Sequence, residues 1–125
     1  MGWLLLLAVL ATLVLVGLIN ARADWGGAHV NWLDGWTRLL CRYLHGVKHT
    51  QLALPESGPA IVVANHVSGV DPLLLIATAR RPLRFLIATE QYERPVLHWL
   101  FRLAGCIPVD RKGRPEQALR VARRA

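Results

Sequence analysis

The first 21 residues of this chain contain no charged side chain, and 17 of them are hydrophobic. At a helical rise of ~1.5 Å per residue, this segment has nearly the length that a helix needs to cross a bilayer. Signal peptides have a similar apolar core, and Ala21-Arg22-Ala23 resembles a cleavage site. Signal peptides also begin with basic residues, and here none precedes the apolar run. We therefore expect residues 1–21 to form an uncleaved transmembrane anchor, with a signal peptide as the alternative.

The rest of the chain is basic, since 15 Lys and Arg against 8 Asp and Glu give a net charge of +7. Basic residues that follow a first membrane span favour a cytoplasmic location for the chain beyond it. They are Arg22, Arg38, Arg42 and Lys48. Binding to nucleic acid is not expected, because the basic residues are scattered among apolar runs and form no recognised motif. Intrinsic disorder is excluded by a hydrophobic content of 54%.

Residues 22–54 are expected to form a glycine-rich hinge at positions 25–27 and then an amphipathic helix. Apolar residues recur there at helical spacing, with basic residues on other faces. The apolar set comprises Trp32, Trp36, Leu39, Leu40 and Tyr43. Tryptophan is well suited to the headgroup layer of a membrane, which favours a helix lying at the membrane surface. An ordinary amphipathic helix packed on the domain fits the same pattern, and the two interpretations are compatible.

Residues 55–125 alternate between strand and helix patterns, which predicts an α/β domain with a parallel or mixed sheet. A turn-rich segment at 55–59 marks its beginning. Strands are expected at 60–64, 83–88 and 106–109, with Pro108 at an edge or a bulge, and helices at 73–79, 95–104 and 116–125. Gly105 is expected to end the second of these helices. Three strands make a thin sheet, so the domain is at the margin for a stable core of its own.

The two cysteines, Cys41 and Cys106, lie far apart in the sequence and are too few for a disulfide framework. We expect two buried or half-buried thiols. No metal-ligand cluster and no glycine-rich nucleotide loop is visible in the sequence, so no metal and no bound cofactor is expected.

The segment with most chemical content is Asn65-His66-Val67-Ser68-Gly69-Val70-Asp71. It places a histidine after the first strand and an aspartate at the start of the next helix, where a tight loop brings the two together. Histidine is suited to remove a proton near neutral pH, and a carboxylate on its other ring nitrogen would orient it. Backbone N–H groups at the helix start would stabilise negative charge.

Each of these residues also has a purely structural explanation. Asp71 before Pro72 is the pattern of a helix N-cap followed by proline at the first helical position. His66 would then be a hydrogen-bonded loop residue. For Ser68 a local loop hydrogen bond is favoured over a nucleophilic role, because the G-x-S-x-G pattern is absent.

The string NHVSGVD resembles the N-H-x-S-x-x-D signature of the glycerolipid acyltransferase family, which includes the 1-acylglycerol-3-phosphate acyltransferases. Residues 105–111 (GCIPVDR) resemble that family's second block, G-x-I-x-V-x-R, and the likeness extends over about residues 30–125. The resemblance implies transfer of a fatty acyl group from acyl-CoA or acyl carrier protein to lysophosphatidic acid, which yields phosphatidic acid.

By this resemblance, His66 is the general base and Asp71 orients it, while Arg111 binds the acceptor phosphate. Asn65, Ser68 and Gly105 are assigned to the substrate site by their match to the motifs. The implied partners are the lysophospholipid acceptor, the acyl donor and membrane lipid.

Two departures from the family pattern stand out. Thr89 occupies a position where many members have lysine, and the family's third block, F-P-E-G-T-R, does not occur. The resemblance therefore predicts that the chain is the N-terminal part of a longer enzyme, with a truncated domain at 55–125. A non-catalytic membrane adaptor that binds anionic headgroups is the alternative function.

Overall fold

The computed structural model describes residues 1–48 and 50–124. It has a first compact unit, Met1–Pro82, and a second that begins at Leu83. The first unit contains α1 (Gly2–Asn20), α2 (Ala28–Leu44) and α3 (Asp71–Thr78). The second contains β1 (Leu86–Ala88), α4 (Thr89–Tyr92), α5 (His98–Leu103), β2 (Ile107–Val109) and α6 (Pro115–Arg124).

The apolar N-terminal segment forms a single helix, α1, as its composition predicts. By length and composition alone it could cross a membrane: its mean hydropathy is 2.7 and only 6% of it is buried, although a signal sequence meets the same description. Its two polar side chains are satisfied within the helix. Thr12 donates to the Ala8 carbonyl at 2.8 Å and Asn20 to the Val16 carbonyl at 2.9 Å. Such internal bonds spare a helix in apolar surroundings from unpaired polar groups.

Helices α1 and α2 pack into a helical hairpin (residues 2–44) through two glycines. A Cβ atom added at Gly35 would overlap the carbonyl oxygen of Gly17, and one added at Gly17 would overlap the carbonyl oxygen of Trp32. The indole N–H of Trp36 donates across the same contact to the Leu13 carbonyl at 2.9 Å. Only residues without a side chain allow the two backbones to come this close.

Helix α2 begins after the predicted hinge, where Gly26 and Gly27 have φ angles of 105° and 129°. One face of the helix is buried, through Val30, Asp34, Gly35 and Cys41, in packing against α1 and α3. Tyr43 and Leu44 at its end are 74% and 72% exposed. Helix α2 thus packs on α1 and α3, and its location at a membrane surface stays a prediction.

The predicted buried strand at 60–64 is wrong. Those residues have no regular secondary structure, and Ile61 and Val63 are 90% and 89% exposed. The only sheet in the described part of the chain joins β1 to β2. A β-branched run becomes a strand only when a neighbouring strand accepts its backbone hydrogen bonds, and no neighbour pairs with this one.

The second unit confirms a parallel pairing, with Leu86 opposite Ile107 and Ala88 opposite Val109. Both strands are shorter than predicted, and the short helix α4 directly after β1 was not predicted. Helix α5 begins three residues later than predicted, because residues 95–97 form a turn in which the Leu97 N–H bonds to the Arg94 carbonyl. Helix α6 begins at Pro115, one residue before the predicted start, and Ala125 at its predicted end lies outside the described residues.

Gly105 ends helix α5 as predicted, in the left-handed conformation with φ 66°. Its N–H donates to the Arg102 carbonyl at 3.1 Å, and the Cys106 N–H donates to the Phe101 carbonyl at 2.9 Å. These are the two hydrogen bonds of the Schellman motif, which favours glycine at this position.

The two cysteines are free and buried, which confirms that prediction. Burial raises the pKa of both the Cys41 and the Cys106 thiol.

Candidate active site

The structure brings His66 and Asp71 together. Nδ1 of His66 lies 3.2 Å from Oδ2 of Asp71, although the two residues are five positions apart. The contact is possible because the chain reverses direction between them and enters α3 at Asp71. With Nδ1 facing the carboxylate, Nε2 is the ring nitrogen left to receive a proton.

The loop between the two residues is held by the same carboxylate oxygen. Oδ2 of Asp71 accepts the backbone N–H of Val67 at 2.7 Å and that of Ser68 at 2.8 Å. The Ser68 hydroxyl accepts the Val70 N–H at 3.3 Å, so this side chain makes a local loop hydrogen bond. The Ser68 carbonyl in turn accepts the Asp71 N–H at 3.1 Å.

The prediction that Asp71 is the N-cap of α3 is wrong by one residue. Val70 is the N-cap, because its carbonyl accepts the Leu74 N–H, and Asp71 is the first helical residue. Its carboxylate therefore bonds back to the loop and to His66, with no capping hydrogen bond to the helix. A purely structural cap no longer explains this aspartate.

The donors around Asp71 also set its charge. Hydrogen bonds from the Ser68 and Val67 N–H groups, with a smaller contribution from His66, hold the pKa of Asp71 below its usual value. A carboxylate that accepts several N–H donors is stabilised in its ionised form. Asp71 is therefore a negative charge placed against Nδ1 of His66.

The site is open to solvent. The His66 side chain is 69% exposed and that of Asp71 27%, and Asn65 is exposed beside them. An exposed Nε2 is accessible to a substrate hydroxyl.

The expectation that N–H groups at the start of α3 stabilise negative charge is wrong for the groups whose partners are known. The Asp71 N–H is bonded to the Ser68 carbonyl, and the Leu73 and Leu74 N–H groups are bonded to the Val70 carbonyl. Proline at position 72 has no N–H to offer. Only a donor outside this group would serve a developing oxyanion.

The second motif lies in the second unit, and its geometry is described within that unit. Arg111 is exposed and follows β2 by two residues. The Asp110 carboxylate accepts the Lys112 and Gly113 N–H groups at 2.9 and 3.0 Å, which forms a tight turn around Arg111. Gly105 was predicted at the substrate site. Its conformation is explained by its position at the end of α5, and its role at the substrate site stays a prediction.

A cleft of about 240 Å³ at the carboxyl ends of β1 and β2 was missed by the sequence analysis. Its lining includes Thr89, Tyr92, His98, Asp110, Arg114 and Gln117. Arg114 rather than Arg111 lines this cleft. The predicted parallel sheet could have indicated this cleft, because ligands of parallel sheets bind beyond the carboxyl ends of the strands.

Tyr92 and His98 form an aromatic wall of the cleft. Nδ1 of His98 lies 3.1 Å from the Tyr92 carbonyl, and the two rings meet edge to face at 5.2 Å.

Among residues 1–48 and 50–124, no group of three or more His, Cys, Asp or Glu is arranged to hold a metal ion.

Comparison with known proteins points to one family. Residues 46–125 match the family model described as Acyltransferase. A "Probable 1-acyl-sn-glycerol-3-phosphate acyltransferase" of Mycoplasma genitalium is 37% identical over 78 residues, which cover 56% of this chain and 28% of that protein. A protein of the same name from Mycoplasma pneumoniae is 36% identical over 87 residues, covering 61% and 31%. The matches thus span about three tenths of the length of these curated relatives, and no solved structure matches the chain.

Proposed function

The chain belongs to the Acyltransferase family, and from this premise we propose that it transfers a fatty acyl group to 1-acylglycerol 3-phosphate to form phosphatidic acid. The observation that carries the proposal is the His66–Asp71 pair, whose 3.2 Å contact lies inside the matched region. Both curated relatives are named for the same acceptor. The donor is an acyl thioester, either acyl-CoA or acyl carrier protein.

The proposed reaction is a proton-assisted acyl transfer. Nε2 of His66 takes the proton of the acceptor hydroxyl while that oxygen attacks the thioester carbonyl carbon. The tetrahedral intermediate then expels the thiolate, which receives the proton from His66. Asp71 holds the ring by Nδ1 and stabilises the imidazolium that forms between the two steps. The atoms balance without a metal or a redox cofactor.

Arg111 is proposed to bind the acceptor phosphate. Its guanidinium offers paired donors that match two phosphate oxygens, and the Asp110 turn keeps it exposed after β2. Asn65 and Ser68 are proposed to shape the loop that presents His66, and Gly105 to contribute to the substrate site through its backbone.

We also propose that α1 anchors the protein in a membrane, with the rest of the chain on the cytoplasmic side. The support is the length and apolarity of α1 together with the four basic residues that follow it. Lipid substrates dissolve in that membrane, so an anchor holds His66 near them. Helix α2, with exposed Tyr43 and Leu44 at its end, is proposed to lie at the membrane surface.

The proposed function is tested by substrate comparison with the purified chain in vesicles. Radiolabelled oleoyl-CoA and oleoyl-acyl carrier protein are each offered with three acceptors: 1-acylglycerol 3-phosphate, 1-acylglycerol and glycerol 3-phosphate. We expect phosphatidic acid from the first acceptor and at least about tenfold less product from the acceptor without phosphate. An acceptor without phosphate leaves the guanidinium of Arg111 without its partner. Equal use of all three acceptors, or no product from any, would contradict the proposal. In the second case, flotation with anionic but not neutral vesicles would favour the adaptor function.

A further inference from the structure

A buried ion pair lies in the first unit, outside the residues that match the family model. Arg38 and Asp34 are four positions apart in α2, and Nε of Arg38 is 2.7 Å from Oδ2 of Asp34. The Arg38 side chain is 10% exposed and that of Asp34 is fully buried. Burying two charges costs desolvation energy, so such a pair persists only where other groups satisfy its remaining donors and acceptors.

Asp34 is satisfied by the chain that follows α1. Its carboxylate accepts the backbone N–H of Arg22 at 2.8 Å and of Ala23 at 3.3 Å, and the indole N–H of Trp25 at 3.2 Å. A second bond from Arg38, by Nη2 at 3.0 Å, completes a bidentate pair. Asp34 therefore holds Arg38 in one orientation and ties it to the end of α1.

The remaining donors of Arg38 bond to the C-terminal end of α3. Nη1 donates to the Ala77 carbonyl at 2.8 Å, and Nη2 donates to the Ala79 carbonyl at 2.7 Å. The last carbonyls of a helix have no partner within the helix, and a cation beside them also meets the negative end of the helix dipole. Arg38 thus caps the C-terminus of α3, where Ala79 is fully buried.

Helix α3 carries Asp71 at its other end. It has eight residues, and helices that short are unstable in isolation, so tertiary contacts decide where it lies. Displacement of its C-terminus by the loss of Arg38 would tilt the whole helix and move Asp71 away from His66.

We propose that Arg38, oriented by Asp34, is a positioning residue for the His66–Asp71 pair, and that it acts by docking α3 onto the helical hairpin. The proposal rests on the proposed function, because it predicts that the contact of Arg38 with the C-terminus of α3 affects catalysis. That contact lies about two helical turns from Asp71. It assigns to α2, which precedes the matched region, a part in the geometry of the active site.

The test compares Arg38→Met, Arg38→Lys and Asp34→Asn with Arg42→Met in the full chain. Arg42 is the matched control, because it lies one turn further along α2 and is exposed. Amide hydrogen exchange follows α3 and the Val67 and Ser68 N–H groups, with the Ile107 N–H of the second unit as the reference. Steady-state kinetics give kcat and KM for 1-acylglycerol 3-phosphate.

In Arg38→Met we expect faster exchange in α3 and at Val67 and Ser68, with Ile107 unchanged. We also expect kcat to fall by about 10–10²-fold, because misplacement of a catalytic group by about 1 Å has effects of this size. KM should stay within a few-fold, since Arg38 does not touch the acceptor. Arg38→Lys should retain part of both properties, and Arg42→Met should behave as the parent.

Exchange at Val67 and Ser68 that is the same in Arg38→Met as in Arg42→Met would overturn the proposal, as would a rise in KM at unchanged kcat. If Arg38→Met unfolds, Arg38→Lys and Asp34→Asn decide by the same two criteria. A parent chain without turnover would contradict the proposed function alone, because the exchange measurements still decide whether Arg38 positions the pair.

Discussion

A single oxygen atom, Oδ2 of Asp71, organises the loop that presents His66. It accepts two backbone N–H groups and faces Nδ1 of the imidazole. The backbone donors hold its pKa below the usual value, so the loop and the charge depend on each other. Protonation of Asp71 would weaken all three contacts together.

The first prediction concerns stability against pH in Asp71→Asn. A group whose pKa is lowered by folding stabilises the protein above its unfolded pKa, about 3.9 for aspartate, and loses this effect as pH falls through the native pKa. The unfolding free energy of the parent should therefore exceed that of Asp71→Asn near neutral pH. The difference should shrink when the pH falls below the ordinary aspartate pKa.

Urea unfolding of both proteins in detergent at about pH 6 and about pH 3 measures this difference on either side of the aspartate pKa. Asp24→Asn is a positive control outside the site. Hydrogen bonds from Asn31 and from the Gly26 and Gly27 N–H groups also lower the pKa of Asp24, so its stability difference from the parent should shrink in the same way. A difference between parent and Asp71→Asn that is equal at the two pH values would contradict the prediction.

At the residue scale, the sequence predicted the encounter of His66 with Asp71 from their spacing, but not how Asp71 is used. The N-cap expectation failed because helix starts are uncertain by a residue or more from sequence. The Asp34–Arg38 pair had a signal, opposite charges at helical spacing i,i+4, but that pattern is usually solvent-exposed. Its burial depends on α3, whose docking no local pattern encodes.

At the element scale, the helical hairpin depends on the contact between Gly17 and Gly35. The backbone approach there leaves no room for a Cβ atom on either residue. The apolar run predicted α1 and apolar periodicity predicted α2, but neither pattern singles out Gly17 or Gly35. Their role becomes visible only when the two helices are paired.

The second prediction is that Gly35→Ala separates α1 from α2. The added methyl group would overlap the Gly17 carbonyl, and overpacking of this kind costs about 1–3 kcal/mol. We expect a lower melting temperature and a change in Trp36 fluorescence, because its hydrogen bond to Leu13 crosses the same contact. Gly2→Ala is the matched control, since a Cβ atom there has no neighbour within 4 Å. Equal melting temperatures for the two variants would contradict the packing described here.

Elements that need only local signals were predicted best. Helix α1 follows from the length of its apolar run, α2 follows from apolar periodicity, and the end of α5 follows from Gly105. The strands were predicted less well, because a strand requires a partner. Residues 83–88 and 106–109 contain the strands that pair, whereas the similar apolar run at 60–64 has no pairing and is exposed.

At the scale of the whole molecule, the chain combines a helix apolar enough to cross a membrane, an exposed histidine–aspartate pair and a net charge of +7. Each feature alone has an ordinary explanation. The apolar helix could be a signal sequence, and the histidine–aspartate contact could be a structural hydrogen bond within a loop. Together with the family match over residues 46–125 they support the proposal of a lipid acyltransferase that a membrane anchor holds near its substrate. The central claim is that His66 supplies the base for this reaction.

The most direct test is the rate of phosphatidic acid formation by His66→Ala in vesicles, beside His29→Ala, which replaces an exposed histidine of α2. Loss of a general base lowers rates by about 10²–10⁴-fold, so His66→Ala should lose turnover to this extent. His29→Ala should match the parent, and all three proteins should float equally with the vesicles. Turnover by His66→Ala within a few-fold of the parent, at equal vesicle binding, would contradict the account.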